Sequence, residues 1–359
     1  MCGIVGTFGG YIEHIESACS AISHRGPDDF GVFTDNKTNI ALGHQRLSII
    51  EISDLGHQPM MSNDQNVIIV FNGEIYNFHE LRAQLEKKGY VFKGDSDTEV
   101  LINLYLDKGT EMLSKLKGIF AFAILDMSNE ILFLARDAIG VKPLYYSSEN
   151  DIFSFASEIK ALFEFNPISK DLNIEALNRY ISFLWCPGDG TPIKSIKKLL
   201  PGEALIVKKG QIKEKWIWYQ LPIFRGISAD LNLNEALSGV TNHLRSAVHS
   251  QMISDVPLGA FLSGGLDSSS IVSFAREINP EIKCFTIDTL GPQDNGFIDD
   301  LPYAKEVADH LKVNLEVVTV NSNQIADDLQ SMVIQLDEPL ADLASLNVRY
   351  ISQLAKSQG

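Results

Sequence analysis

Long apolar runs are missing from this 359-residue chain. No stretch approaches the roughly 20 consecutive apolar residues that a helix needs to cross a bilayer, and no basic segment leads into a short apolar one at the start. The expectation is a cytoplasmic protein with no membrane partner. Cysteine is scarce: Cys2, Cys19, Cys186 and Cys284 form no C-x-x-C pair and no zinc spacing, so neither a disulfide framework nor a structural metal is suggested. Positive charge is short as well. Thirty Lys and Arg face 46 Asp and Glu, and the net charge of −16 leaves no basic face for nucleic acid. Any acidic substrate must be held by local cations. Repeats and low-complexity tracts are also absent, and 45% hydrophobic with 21% charged residues is ordinary globular composition. A chain this long exceeds the size at which one core usually stops growing, so two domains are expected.

The first of these, placed at residues 1–225, alternates short β-rich runs with brief amphipathic helices, the pattern of α+β layers. Strands are predicted over Gly3–Phe8, Asp29–Thr34, Ile40–His44, Val67–Phe71, Phe120–Asp126, Ile131–Arg136 and Ile152–Ala156, with a last hairpin after Pro201-Gly202. Ser96-Asp97-Thr98-Glu99 reads as a capping box that opens a helix. From residue 226 to 359 the pattern changes to strand, loop, helix, which predicts a parallel, doubly wound sheet. Strands are expected over Val256–Leu262, Lys283–Asp288 and Leu315–Val320. Three strands make a small sheet, and a helix over Leu346–Lys356 followed by Gly359 reads as leading toward a fourth. The expectation is a second domain that is incomplete here.

Two short stretches carry most of the chemistry. Met1-Cys2-Gly3-Ile4 places a thiol at position 2, and removal of Met1 leaves a nucleophile whose own α-amine can take its proton. A small buried hydrophobe in a first strand is the plainer reading of the same cysteine. Leu262-Ser263-Gly264-Gly265-Leu266-Asp267-Ser268-Ser269 runs from a strand through a glycine turn into a helix, a layout that offers N–H groups to an anion. It lacks the lysine of a Walker A loop, so it favours pyrophosphate cradling and adenylation, with Asp267 available to Mg²⁺. Asn72-Gly73 at a strand end supplies an amide and an N–H of the kind that stabilises an oxyanion, or is simply a turn. Arg46 alternates into an apolar strand, where a substrate carboxylate is a fitting partner. Asp97 either complements a helix dipole or accepts from a substrate ammonium.

Taken together, Cys2-Gly3-Ile4, His24-Arg25-Gly26-Pro27-Asp28, His44-Gln45-Arg46-Leu47-Ser48-Ile49, Asn72-Gly73-Glu74-Ile75-Tyr76-Asn77, Ser96-Asp97-Thr98-Glu99, Arg136-Asp137, Gly140-Val141-Lys142-Pro143-Leu144-Tyr145 and the Ser-Gly-Gly-Leu-Asp-Ser loop resemble the glutamine-hydrolysing asparagine synthetases, in that family's order and over essentially the whole chain. The resemblance implies a class II glutamine amidotransferase domain of the N-terminal-nucleophile αββα fold, followed by an α/β ATP-pyrophosphatase domain. It implies that Cys2 attacks the glutamine amide while Asn72 and Gly73 hold the oxyanion. Arg46 would take the α-carboxylate and Asp97 the α-amine, with Leu47, Ser48, Ile49, Ile50 and Glu74 lining the pocket. In the second domain Leu262 and Ile287 would border the adenosine of ATP, and Ser263, Gly264, Gly265, Asp267, Ser268 and Ser269 its phosphates. Aspartate would be adenylated and then amidated. The resemblance admits a homodimer, and it leaves two rivals: an amidotransferase for another carboxylate, and a non-catalytic glutamine or nucleotide sensor. Ser23 and Asp288 depart from residues frequent in the family. The family's Ser-Gly-x-Gly-x-Asp-Glu segment and a later lysine are expected past Gly359, so the expectation is that these 359 residues hydrolyse glutamine but do not by themselves activate aspartate.

Overall fold

Every residue of β1 (Gly3–Phe8) is buried, so the alternation that marks a half-exposed strand is lost. The same holds for β3 (Ile40–Arg46), and the reason is that their sheet is covered on both faces. In the computed structural model, which describes residues 1–165, 168–223, 232–290, 299–342 and 344–358, the chain divides into two compact units. The first is Met1–Ile223 with Asp337–Pro339; the second is Phe224–Leu336 with Leu340–Gly359. The boundary expected near residue 225 lies outside the described residues.

The first unit contains two six-stranded sheets among its described residues. In chain order its strands continue with β2 (Asp29–Asp35), β4 (Met60–Met61), β5 (Val67–Ile75), β6 (Gly118–Asp126), β7 (Ile131–Arg136), β8 (Tyr145–Glu149), β9 (Ile152–Ala156), β10 (Lys197–Lys198), β11 (Glu203–Lys208) and β12 (Gln211–Ile217). One sheet has the order β10-β8-β9-β1-β3-β2 and the other β12-β11-β7-β6-β5-β4, with antiparallel neighbours. Their inner faces meet through Ile4, Phe8, Ile40 and Leu42 from the first and Ile68, Val70, Ala123 and Leu134 from the second. Helix α1 (Ile15–Ala21) covers the outer face of the first sheet: Ile15, Ala18 and Cys19 join Val5 and Ala41. On the second sheet α2 (Phe78–Glu86) and α3 (Asp97–Lys108) form the outer layer, where Tyr105 stacks on Phe133 at 6.0 Å between ring centroids. The result is the four-layered αββα sandwich.

Two expectations need correction here. Asn72-Gly73 is neither a strand end nor a turn, because β5 runs on through Ile75, paired to β6 down to Gly118. Ser96 does cap α3, its hydroxyl accepting the Thr98 N–H at 3.0 Å. However, the Glu99 carboxylate takes the N–H groups of Lys93 and Gly94, at 2.8 and 3.0 Å, instead of closing a capping box. Short helices α4 (Ile159–Leu162) and α5 (Ile174–Phe183) complete the unit's described α-helices.

In the second unit α6 (Leu233–Ser250) does open with a full capping box, Asn232 with Glu235. The three described strands β13 (Gly259–Phe261), β14 (Lys283–Leu290) and β15 (Asn314–Asn321) are parallel and lie in sequence order. Cys284 faces α7 (Leu266–Ile278) and α8 (Leu301–Leu311) through Val272, Ala304 and Ala308. Ile287, an odd number of positions along, faces α9 (Ser322–Gln335) and α10 (Ala344–Ser357) through Met332, Leu346 and Tyr350. Helices therefore cover both faces. The apolar run Val256–Leu262 yields only three residues of strand.

Candidate functional site

Antiparallel pairing of Gly3 with Gln45 lays the start of the chain beside the end of β3, which brings Cys2 to Arg46 and Leu47. The Leu47 N–H donates to Cys2 Sγ at 3.4 Å, and the sulfur lies 3.6 Å from the Leu47 carbonyl. From the other side the Arg25 guanidinium donates to the Cys2 carbonyl at 2.9 Å, and Arg25 is itself paired with Glu158 at 2.8 Å. Burial raises the Cys2 thiol above its ordinary value and lowers the α-amine, which in this chain belongs to Met1. Both shifts favour the neutral forms.

One cavity gathers the remaining first-unit candidates. Cys2, Arg46, Leu47, Ile49, Ile50, Asn72, Gly73, Glu74 and Asp97 all line it. Ser48 does not: its N–H turns to Asp28 Oδ2 at 2.9 Å. Arg46 ends β3 with its guanidinium folded back on the following loop, donating to the carbonyls of Ser53, at 3.0 Å, and Glu51. Both faces of β3 are buried, so Arg46 is held by carbonyls and not by alternation into water. Asn72 is 1% exposed, and neither its amide nitrogen nor its oxygen finds a hydrogen-bond partner among the described residues. Such groups are rare in folded proteins and call for a reason. Beside it, a Cβ on Gly73 would stand 2.3 Å from the Ile119 carbonyl, so only glycine fits.

The cavity is acidic on one wall. Burial, and then the neighbouring Asp97, push Glu74 up to about 8. Burial raises Asp97 to about 6, against the opposing pull of bonds such as that from the Ile75 N–H at 3.0 Å. Two desolvated carboxyls side by side make a place for a cation. Lys142, also lowered by burial, stands among the lining residues as a counter-charge, and Gln58, Phe71, Ser96 and Thr98 complete much of the wall. Lys142 lay within a motif read from the sequence, with no role given. Nothing in the sequence marks Gln58, since a lone glutamine before proline carries no chemical signal.

The serine-glycine loop of the second unit has the expected path. Leu262 is 1% exposed, and after it Ser263 and Ser268 share a hydroxyl contact of 3.0 Å across the turn. Ser269 Oγ donates to the Gly265 carbonyl at 2.7 Å. Gly264 adopts φ +80°, and a Cβ there would lie 2.4 Å from the backbone of Tyr303. Asp267 is exposed in the first turn of α7. Among the described residues no group of three or more His, Cys, Asp or Glu could hold a metal, so the Mg²⁺ expectation rests on Asp267 alone. The Ile287 side chain packs with Val318, Val320 and Met332, in a cluster separate from that of Leu262.

Comparison with known proteins follows the same division. Residues 1–218 match the glutamine amidotransferase domain and residues 239–359 match asparagine synthase. The chain is 38% identical, over 99% of its length, to glutamine-hydrolyzing asparagine synthetase 1 of Bacillus subtilis, of which it covers 56%. It is 35% identical, again over 99% of its length, to the putative glutamine-hydrolyzing asparagine synthetase 2 of Methanocaldococcus jannaschii, covering 72% of that protein. With amidase chry2 of Gibberella zeae it shares 28% identity over 97% of its length and 53% of the relative's. The chain thus spans about half the length of the first and third of these.

Proposed function

Since the chain belongs to the glutamine-hydrolysing asparagine synthetase family, we propose that its first unit releases ammonia from glutamine for use in the amidation of aspartate. The observation that carries this is the buried, unpartnered amide of Asn72 in the same cavity as Cys2, Arg46 and Asp97. Once Met1 is removed, the Cys2 thiol attacks the side-chain amide carbon of glutamine and its proton passes by way of the α-amine to the departing nitrogen. A thiol and amine held neutral by burial suit that transfer. Asn72 and the Gly73 N–H hold the oxygen as it becomes negative, an interaction made only in the transition state. Collapse expels ammonia and leaves a thioester, which water cleaves to glutamate and free thiol. Arg46 holds the α-carboxylate of glutamine, and Asp97 with Glu74 its ammonium.

In the same reading residues 1–225 form the glutaminase domain and residues 226–359 belong to the synthetase domain. Leu262–Ser269 would hold the phosphates of ATP, and Asp267 would offer a carboxylate to Mg²⁺; with the family's remaining catalytic residues, that nucleotide would activate aspartate as β-aspartyl-AMP with loss of pyrophosphate. Ammonia displaces AMP and gives asparagine. Leu262 and Ile287 would border the adenosine: the Ile287 side chain packs against the Met332 cluster but is only partly buried, which leaves surface for that contact. Four free cysteines support a reducing cytoplasm, and a homodimer remains part of the proposal. A second reading, ammonia transfer to a different carboxylate, draws on the similarity to an amidase.

The test is Cys2→Ala. Glutamate release from glutamine falls to background while the variant keeps its fold by circular dichroism. Undiminished hydrolysis would refute the assignment of the nucleophile. Product analysis with aspartate against other carboxylic acids as acceptors, on a chain extended to the relatives' length, separates the two acceptor readings.

A further inference from the structure

Strand β5 is bonded to β6 along its whole length, but on its other edge β4 reaches only from Ile68 to Ile69. In an antiparallel strand alternate residues present both N–H and C=O to the same side. Here the open edge belongs to Val67, Ile69, Phe71, Gly73 and Ile75. Ser62 serves Val67, its Oγ accepting the Val67 N–H at 3.0 Å and its N–H donating to the Val67 carbonyl at 2.8 Å. Beyond β4, side chains take over. Gln58 Oε1 accepts the Phe71 N–H at 2.7 Å, and His44 Nε2 donates to the Phe71 carbonyl at 3.0 Å. Asp97 Oδ2 accepts the Ile75 N–H at 3.0 Å. Parity leaves the Gly73 N–H on this edge between two clamped peptides, facing the cavity it lines.

Gln58 is 5% exposed, and its other amide end donates to Thr98 Oγ1 at 3.3 Å. One side chain therefore joins the N–H of Phe71, the residue before Asn72, to the hydroxyl of Thr98, the residue after Asp97. Resting on the glutaminase reading above, we propose that Gln58 is a positioning residue for that reaction. It replaces the missing strand neighbour of β5 and so sets the Asn72–Gly73 oxyanion donors at a fixed distance from the first turn of α3. His44 completes the clamp from the carbonyl side. Burial pushes its imidazole down to about 3, so the ring is neutral, with one N–H for Phe71.

The experiment compares Gln58→Met, which keeps the length of the side chain and removes both bonds, with the wild-type chain. Steady-state glutamine hydrolysis is measured beside the rate at which iodoacetamide alkylates Cys2. Alkylation needs the thiol but not the oxyanion donors. Because those donors act in the transition state, and displacements near 1 Å are costly, kcat falls by about tenfold or more while KM for glutamine changes by less than about threefold. The alkylation rate stays within about twofold of wild type, since Cys2 is held by Leu47 and Arg25 instead. A kcat within about threefold of wild type, or a parallel loss of kcat and alkylation, overturns the proposal. If Gln58→Met lacks a cooperative melt, Thr98→Val and Thr98→Ser decide: a lower kcat in the valine variant restored by serine supports the bridge, and equal kcat values overturn it. Absence of any Cys2-dependent hydrolysis in the wild-type chain refutes the glutaminase reading itself, and so is distinct from these results.

Discussion

Arg46 shows what a single side chain is asked to do at this site. Two of its donors are already engaged with the carbonyls of Ser53 and Glu51, so the guanidinium is held in place before any ligand arrives. Arg46→Ala should weaken glutamine binding by about 2–5 kcal/mol, read as a rise in KM, because a buried charge pair loses one member. Arg46→Lys should not restore it, for a lysine lacks the planar fork that can serve carbonyls and a carboxylate together. The acidic wall gives a second expectation. Glu74 is raised to about 8 by burial and by Asp97, so near neutral pH the empty pocket holds a proton that an incoming ammonium expels. Calorimetric titration of Cys2→Ala with glutamine at pH 7, in buffers of different ionisation enthalpy, should show proton release, and Glu74→Gln should abolish it. The linked stability has a definite sign. A carboxyl whose folded value exceeds its unfolded one binds more protons when folded, so its stabilising contribution is full below the unfolded value and is lost as pH rises through about 8.

At the scale of elements, the caps and turns make separable contributions. Ser96→Ala should cost about 1 kcal/mol by removing the acceptor for the Thr98 N–H, whereas Glu99→Ala should loosen residues 93–94 and not the helix start. Gly264→Ala should be worse. It forces a Cβ into φ +80° and to 2.4 Å from the Tyr303 backbone, and the left-handed conformation alone costs roughly 1–2 kcal/mol. The sequence pattern located most long elements, because β1, β7 and β9 are bounded by turn residues and the helices α7 and α8 by glycine or proline. It stopped β5 at Phe71, since Asn and Gly are poor strand formers and only pairing with β6 overrides them. Strands β4 and β10, two residues each, have no period to read. Cys2, Arg46, Asn72 and Asp97 were legible as residues, but their meeting in one cavity depends on pairing across distant strands. Gln58 was not legible, because its role exists only through partners 13 and 40 positions away.

For the whole molecule, the residues proposed for hydrolysis all fall in the first unit, as do the three tryptophans, Trp185, Trp216 and Trp218. Gly264→Ala should therefore lower the denaturation midpoint seen by circular dichroism while leaving the tryptophan transition and glutamine hydrolysis unchanged. A shift common to all three measurements would mean that the units do not fold independently. The amide of Asn72 has a consequence of a different kind. It meets no protein donor or acceptor among the described residues and lines the cavity, so its hydrogen bonds are kept for whatever occupies that space. Asn72→Ala removes that group at the expense of a small void. If the proposed role is right, it should lower kcat for glutamine by about a hundredfold or more while shifting the melting temperature of the first unit little, because the fold places this amide without drawing on it for its own bonds.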